Sequence, residues 1–193
     1  MIIDSHCHLD YEPLINDVNK IILNAKKNNI THLLTIGTSL ESSKKVLEIV
    51  EKFENVYGAI GIHPNSTTNN LTDLNELVAI KKKSKKIIAF GETGLDYFYK
   101  RSEKNDQIRS FEQHIEFAIS EKLPVIIHTR DADKDTVSIN IFSIGTYLTT
   151  FLRSVDFLKV IIPLNEIKHS RSNKFFAKSK LPVKQCIKNF VFV

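Results

Sequence analysis

The 193-residue chain has only two cysteines, Cys7 and Cys186, too few and too far apart for a disulfide framework and without zinc-knuckle or redox spacing. No apolar run approaches the roughly 18 residues needed for a membrane span. The opening MIIDSHCHLD has an acid at residue 4 and no basic leader before it. That reads as a chain without a secretory signal, and it predicts a cytoplasmic protein with no membrane partner. Neither a low-complexity linker nor an internal repeat divides the chain, apart from an α/β period. After residue 140 only one glycine remains, Gly145.

What is present is a net charge of +5, which suggests nucleic acid until it is located. Residues 140–193 hold nine basic groups and two acids, +7, whereas the first 139 hold 18 bases and 20 acids, −2. All the excess basicity therefore lies in the last 54 residues, which also contain seven of the 12 Phe. These residues read as a divergent tail rather than an independent domain, joined to a front part spanning 1–139.

The front part alternates short apolar runs with helical periodicity, the pattern of parallel α/β construction. Strands are predicted at Met1 to Asp4, His32 to Ile36, Val56 to Gly61, Ile87 to Gly91 and Pro124 to His128. Helices are predicted at about 14–28, 41–53, 71–83, 104–121 and from about 133. Thr38 and Glu41 offer a capping box for the second helix. In the fourth, Ile108, Phe111, Ile115, Ala118 and Ile119 form an apolar stripe. The strands recur roughly every 31 residues, so five units fill the front part, whereas a closed eight-unit barrel needs about 250 residues. The expected fold is an incomplete TIM-like (β/α) barrel of about five βα units plus an atypical C-terminal tail. Within that tail, Val160 to Ile162 could be a strand, and Ile144 to Leu152 either strand or helix.

Side chains along a strand repeat with period two, so Asp4, His6 and His8 share one side while Cys7 faces the other as a packed thiol. Alone, the two histidines could hold an ion or be ordinary residues at a strand end. Other strand ends carry similar groups: Gly61-Ile62-His63-Pro64, Gly91-Glu92-Thr93-Gly94-Leu95-Asp96, and His128 with Arg130 and Asp131. In a parallel sheet all carboxyl ends lie on one face, which points to a metal site. His6, His8, Glu92 and His128 are its candidate ligands, and Glu92, able to bridge two ions, is also the candidate catalytic residue. Two divalent cations there could activate a water and steady a phosphodiester. Asp96 could orient a ligand histidine or cap the turn. Arg130 could hold a substrate phosphate or pair with Asp131 or Asp133.

The ordered motifs DSHCHLD, GIHP, GETGLDY and HTRDA resemble the TatD family of metal-dependent hydrolases, over residues 1 to about 139. The resemblance implies a TIM-barrel-like fold and a divalent-metal-dependent deoxyribonuclease, with magnesium, manganese or zinc as cofactor and DNA or another phosphate ester as partner. It assigns one metal to His6 and His8, a bridge between two metals to Glu92, and the second metal to His128. The family pattern continues with a histidine in a context like HCFSG and an acid in a context like TDxP, neither of which occurs here. His169 in KHSRS and Asp156 in SVDFL receive no family role. The seam after DTVSI coincides with the change of composition, as an altered reading frame or decayed gene would produce. Three readings follow: an active TatD-like nuclease, a truncated inactive remnant, and a basic nucleic-acid-binding module whose tail contacts phosphates and bases. The oligomeric state stays open.

Overall fold

The computed structural model of the chain describes residues 2–67, 73–143 and 150–153. Along it run β1 (Ile2–Cys7), a 3-10 turn (Leu14–Asp17), α1 (Val18–Lys27), β2 (Ile30–Ile36), α2 (Leu40–Lys52) and β3 (Val56–Ile60). A second 3-10 turn (Pro64–Ser66), α3 (Asp73–Lys83), β4 (Ile87–Asp96), α4 (Lys104–Glu121), β5 (Val125–Arg130), α5 (Asp133–Ser143) and β6 (Thr150–Arg153) follow. The six strands are parallel and lie side by side in chain order. A doubly wound sheet reverses its order at a switch point, and this one does not. Right-handed crossovers that always advance the same way place the helices on one face, so the other face curls inward as a barrel wall.

Period-two alternation divides the apolar residues between these faces. Leu33, Val56, Ile60, Val125 and Ile127 join the helices in the larger core, around Phe90, Leu95, Phe111, Ile115, Leu77 and Val50. Leu34, Ile36, Ala59, Ala89 and Ile126 form a smaller cluster on the inner face. His128 shares the parity of Ile126, so the same alternation carries it to the inner face at the strand's carboxyl end. In α4 the buried positions Gln107, Ser110, Phe111, His114, Ile115 and Ala118 follow helical spacing. Three of these are polar, and the apolar stripe alone did not indicate them.

Four sequence expectations change. The sheet has a sixth strand, β6, which overlaps the end of the segment left open as strand or helix. Strand four does not stop at Gly91. Its pairing with β5 is irregular between Phe90 and Thr93 and then resumes through Gly94, Leu95 and Asp96. Gly94 allows this because its φ is +133° and a Cβ there would lie 2.1 Å from the His128 carbonyl oxygen. The cap of α2 is Ser39, whose side chain accepts from the Ser42 N–H at 3.1 Å. Thr38 instead bonds Tyr11 through its hydroxyl, and Glu41 pairs with Lys45 at 2.9 Å. The first helical segment is a 3-10 turn followed by α1.

Helix α5 runs through residue 139, where the composition changes. Val160 to Ile162, Asp156, His169 and the basic residues of the tail beyond Arg153 lie outside the described residues. Among the described residues no helix is long and apolar enough to cross a membrane.

Candidate metal centre

Carboxyl ends of the strands share one rim, and β1, β4, β5 and the segment after β3 each deliver an imidazole or carboxylate to it. His6 and His8 approach with their Nε2 atoms 3.3 Å apart. His8 donates from Nδ1 to the Ile36 carbonyl at 2.8 Å, which leaves its Nε2 lone pair toward His6 and Glu92. Tyr11 stacks on the same ring, centroids 5.1 Å apart and planes 21° from parallel. Cys7 turns away and donates to the Leu34 carbonyl at 3.4 Å.

Glu92 lies between two sets of histidines. Its Oε2 is 3.5 Å from His6 Nε2 and 3.9 Å from His8 Nε2, while its Oε1 accepts from His128 Nδ1 at 3.2 Å. His63 presents its ring edgewise to His128, with centroids 4.4 Å apart. Its Nδ1 accepts the Asn65 N–H at 3.1 Å. Two groups of ligand atoms result, His6 with His8 and Glu92, and His63 with Glu92 and His128, each within 4.8 Å internally. Imidazole nitrogens with a carboxylate suit a borderline-hard divalent cation, so the donor chemistry fits such an ion in both groups.

Asp96 supports this arrangement from behind. Its Oδ2 accepts from His128 Nε2 at 3.1 Å and from Asn65 Nδ2 at 3.0 Å, and its Oδ1 accepts from the N–H groups of Phe98 and Tyr99, each at 3.1 Å. It therefore orients a histidine and caps the turn at once. Gln107 on α4 bonds the Asp96 backbone twice, accepting from its N–H at 2.7 Å and donating to its carbonyl at 3.1 Å. Asp4 is not in either group, but accepts the His6 N–H at 3.1 Å. Arg130 places its guanidinium over the rings of Phe98 and Tyr99, at 4.0 and 4.5 Å, where the sequence had left open a pair with Asp131 or Asp133. Asp131 is exposed, with φ +53° at the turn into α5.

Burial opposes charge on Glu92, yet hydrogen bonds from His128 and His6 outweigh it and hold the carboxyl well below its usual range. Asp96 is lowered in the same contest, by the Tyr99 N–H, Asn65 and His128. Burial alone would lower His128, but Glu92 and then Asp96 raise it. His63 is pushed down to about 4, first by burial and then by the neighbouring His128, and is neutral at pH 7.

Sequence reasoning missed Asn65, Gln107, Tyr11 and His114. Asn65 stands two residues beyond a motif histidine and Tyr11 three beyond another, so proximity was their only signal. The fully buried His114 accepts the Ile62 N–H at 3.0 Å and donates to the Ser110 carbonyl at 2.7 Å, fixing the backbone just before His63.

The sequence model of the family described as TatD related DNase matches residues 3–147. An uncharacterized metal-dependent hydrolase of Buchnera aphidicola (subsp. Baizongia pistaciae) is 37% identical over 143 residues, 72% of this chain and 53% of that protein. The uncharacterized metal-dependent hydrolase YcfH of Escherichia coli K12 is 36% identical over 143 residues, 72% of this chain and 52% of its own length. Among solved structures, the TatD homolog YjjV of Escherichia coli K12 superposes with a TM-score of 0.65 at 25% identity, covering 74% of this chain and 56% of that one. A TatD-family hydrolase of Entamoeba histolytica gives 0.68 at 26%, covering 74% and 54%. The chain thus spans about half the length of the relatives it matches.

Proposed function

The chain belongs to the TatD family, and on that premise we propose that it is a divalent-metal-dependent hydrolase of phosphodiester bonds, with DNA as substrate. The observation that carries this reading is the division of one buried carboxylate: Glu92 turns Oε2 to His6 and His8, and Oε1 to His128. A side chain shared in this way suits two neighbouring cations, one held by His6, His8 and Glu92 and the other by His63, Glu92 and His128. Divalent ions bound there supply Lewis acidity toward a phosphoryl oxygen and lower the pKa of water.

The protein's own contribution is to hold the ligands in shape. The Ile36 carbonyl fixes the tautomer of His8, Asp96 fixes the ring of His128, and Asn65 and Gln107 fix Asp96. Burial keeps His63 neutral, so that one ring nitrogen carries a lone pair. Arg130 stands at the end of β5, two residues beyond His128, where its N–H groups can meet an anionic substrate.

The test is to supply the purified chain with magnesium, manganese or zinc in turn and measure cleavage of a labelled DNA oligomer. Cleavage is expected with at least one ion, and Glu92→Gln should lower its rate on the order of a hundredfold or more while weakening ion binding by calorimetry. No cleavage with any of the three ions would overturn the hydrolytic reading and leave the inactive-remnant reading in its place.

A further inference from the structure

Immediately beyond Asp96 the chain exposes two large rings that the metal centre does not use. Phe98 is 52% and Tyr99 47% exposed, and they pack edge-to-face with centroids 5.0 Å apart. Both are anchored: Asp96 Oδ1 accepts their backbone N–H groups, and the preceding Tyr97 donates to Asp135 at 2.9 Å. A turn anchored in this way leaves about half of each ring open to water, and ordering them on binding costs little entropy. Cations surround them. Arg130 covers both rings, Arg101 lies 5.1 Å from the Tyr99 centroid, and Lys100 is exposed between them. A guanidinium held over aromatic rings keeps N–H groups that the rings do not occupy, and these can grip a phosphate.

We propose that Phe98, Tyr99 and Arg130 form a nucleotide platform beside the metal centre, one exposed ring stacking an unpaired base, the other packing against that base's edge, and Arg130 holding an adjacent phosphate. This rests on the phosphodiesterase reading and specifies what it leaves open, namely how the substrate is held next to the ligands. The platform and the centre share Asp96, which bonds His128 with one oxygen and the two ring-bearing residues with the other. A base seated on the rings therefore has its backbone at the same rim as the ligands. Rings recognise the π-face of any base, so the platform selects for a base and not for its identity. Duplex DNA hides those faces within its stack.

The test uses the full chain in EDTA, so that binding is read without turnover. Fluorescence anisotropy is measured with a labelled single-stranded oligodeoxythymidylate and with an equally long abasic sugar-phosphate oligomer. Replacing both rings, Phe98→Ala with Tyr99→Ala, should weaken the base-bearing oligomer about tenfold or more and leave the abasic one unchanged. Tyr99→Phe with Phe98→Tyr should restore binding, and Arg130→Gln should weaken both oligomers and flatten the salt dependence by about one unit of slope. Equal loss on both oligomers, or no loss on the base-bearing one, overturns the platform. A cooperative melt of each variant separates loss of binding from loss of fold, and a variant that does not fold is replaced by the single-ring Phe98→Ser. If the unaltered chain binds through the rings yet cleaves nothing with any ion, the platform stands and the hydrolytic reading falls. If it cleaves while the rings make no difference, the reverse holds.

Discussion

His128 is held between two carboxylates, donating from Nδ1 to Glu92 and from Nε2 to Asp96. Its pKa is raised in the folded chain, so in chelated protein its contribution to stability is complete below the unfolded value near 6.5 and disappears as pH rises through the folded value. The difference in Tm between the unaltered chain and His128→Gln, followed in EDTA, should therefore shrink from pH 6 to pH 9. A divalent ion competes for the same imidazole, so its affinity by calorimetry should climb over the same interval. At Gly94 the φ of +133° and the 2.1 Å approach to the His128 carbonyl leave no room for a methyl group. Gly94→Ala should destabilise by about 2–4 kcal/mol in a denaturant titration and disturb ion binding with it. Residues of this kind differ in how visible they are beforehand. His6, His8, Glu92 and His128, which the fold gathers at one rim, were visible as a group because residues at successive strand ends recur at a fixed spacing in the chain. Asn65 and Gln107 could not, because their role depends on which backbone or carboxylate a distant element brings within reach.

Helix α4 shows the same contrast at the level of the element. Its length and apolar stripe were legible, since Phe111, Ile115 and Ala118 recur at helical spacing and are buried. The polar side of the stripe was not: Gln107 grips the backbone of β4, and His114 grips the backbone beyond β3. With burial holding its pKa at about 4, His114 is a neutral acceptor for the Ile62 N–H. His114→Leu would leave that buried N–H without its partner and should cost about 1–3 kcal/mol by thermal or denaturant unfolding, with a smaller loss for His114→Gln, whose side-chain oxygen can accept. Strand β4 was underestimated for a related reason. Two glycines read as the end of a strand, whereas at Gly91 and Gly94 they let two backbones approach and pairing continue. Ser39 outcompeted Thr38 as a helix cap because a tertiary bond to Tyr11 had already claimed the Thr38 hydroxyl.

On the scale of the whole molecule, the candidate ligands come from β1 and the residue after it, the turn after β3, β4 and β5, so an ion bound by them would link elements far apart in the chain. An ion that binds only this assembled arrangement stabilises the fold by mass action. At a hundredfold excess over its Kd, the gain of about 2.7 kcal/mol should raise Tm by roughly 5–10 °C in calorimetry, and EDTA should reverse it. Barrel order was readable from the repeat of strands, but the number of strands was not, because β6 falls where the composition has already changed. Strand β1 stands at the end of the order, and among the described residues it pairs with β2 alone. A strand secured on one side peels away more readily than one paired on both, yet this one carries His6 and leads directly into His8. The cation would then serve as a clasp on a strand that, among the described residues, is paired on one side. Its arrival should slow deuterium uptake by the β1 amides more than by those of β3, giving a record of occupancy that requires no substrate.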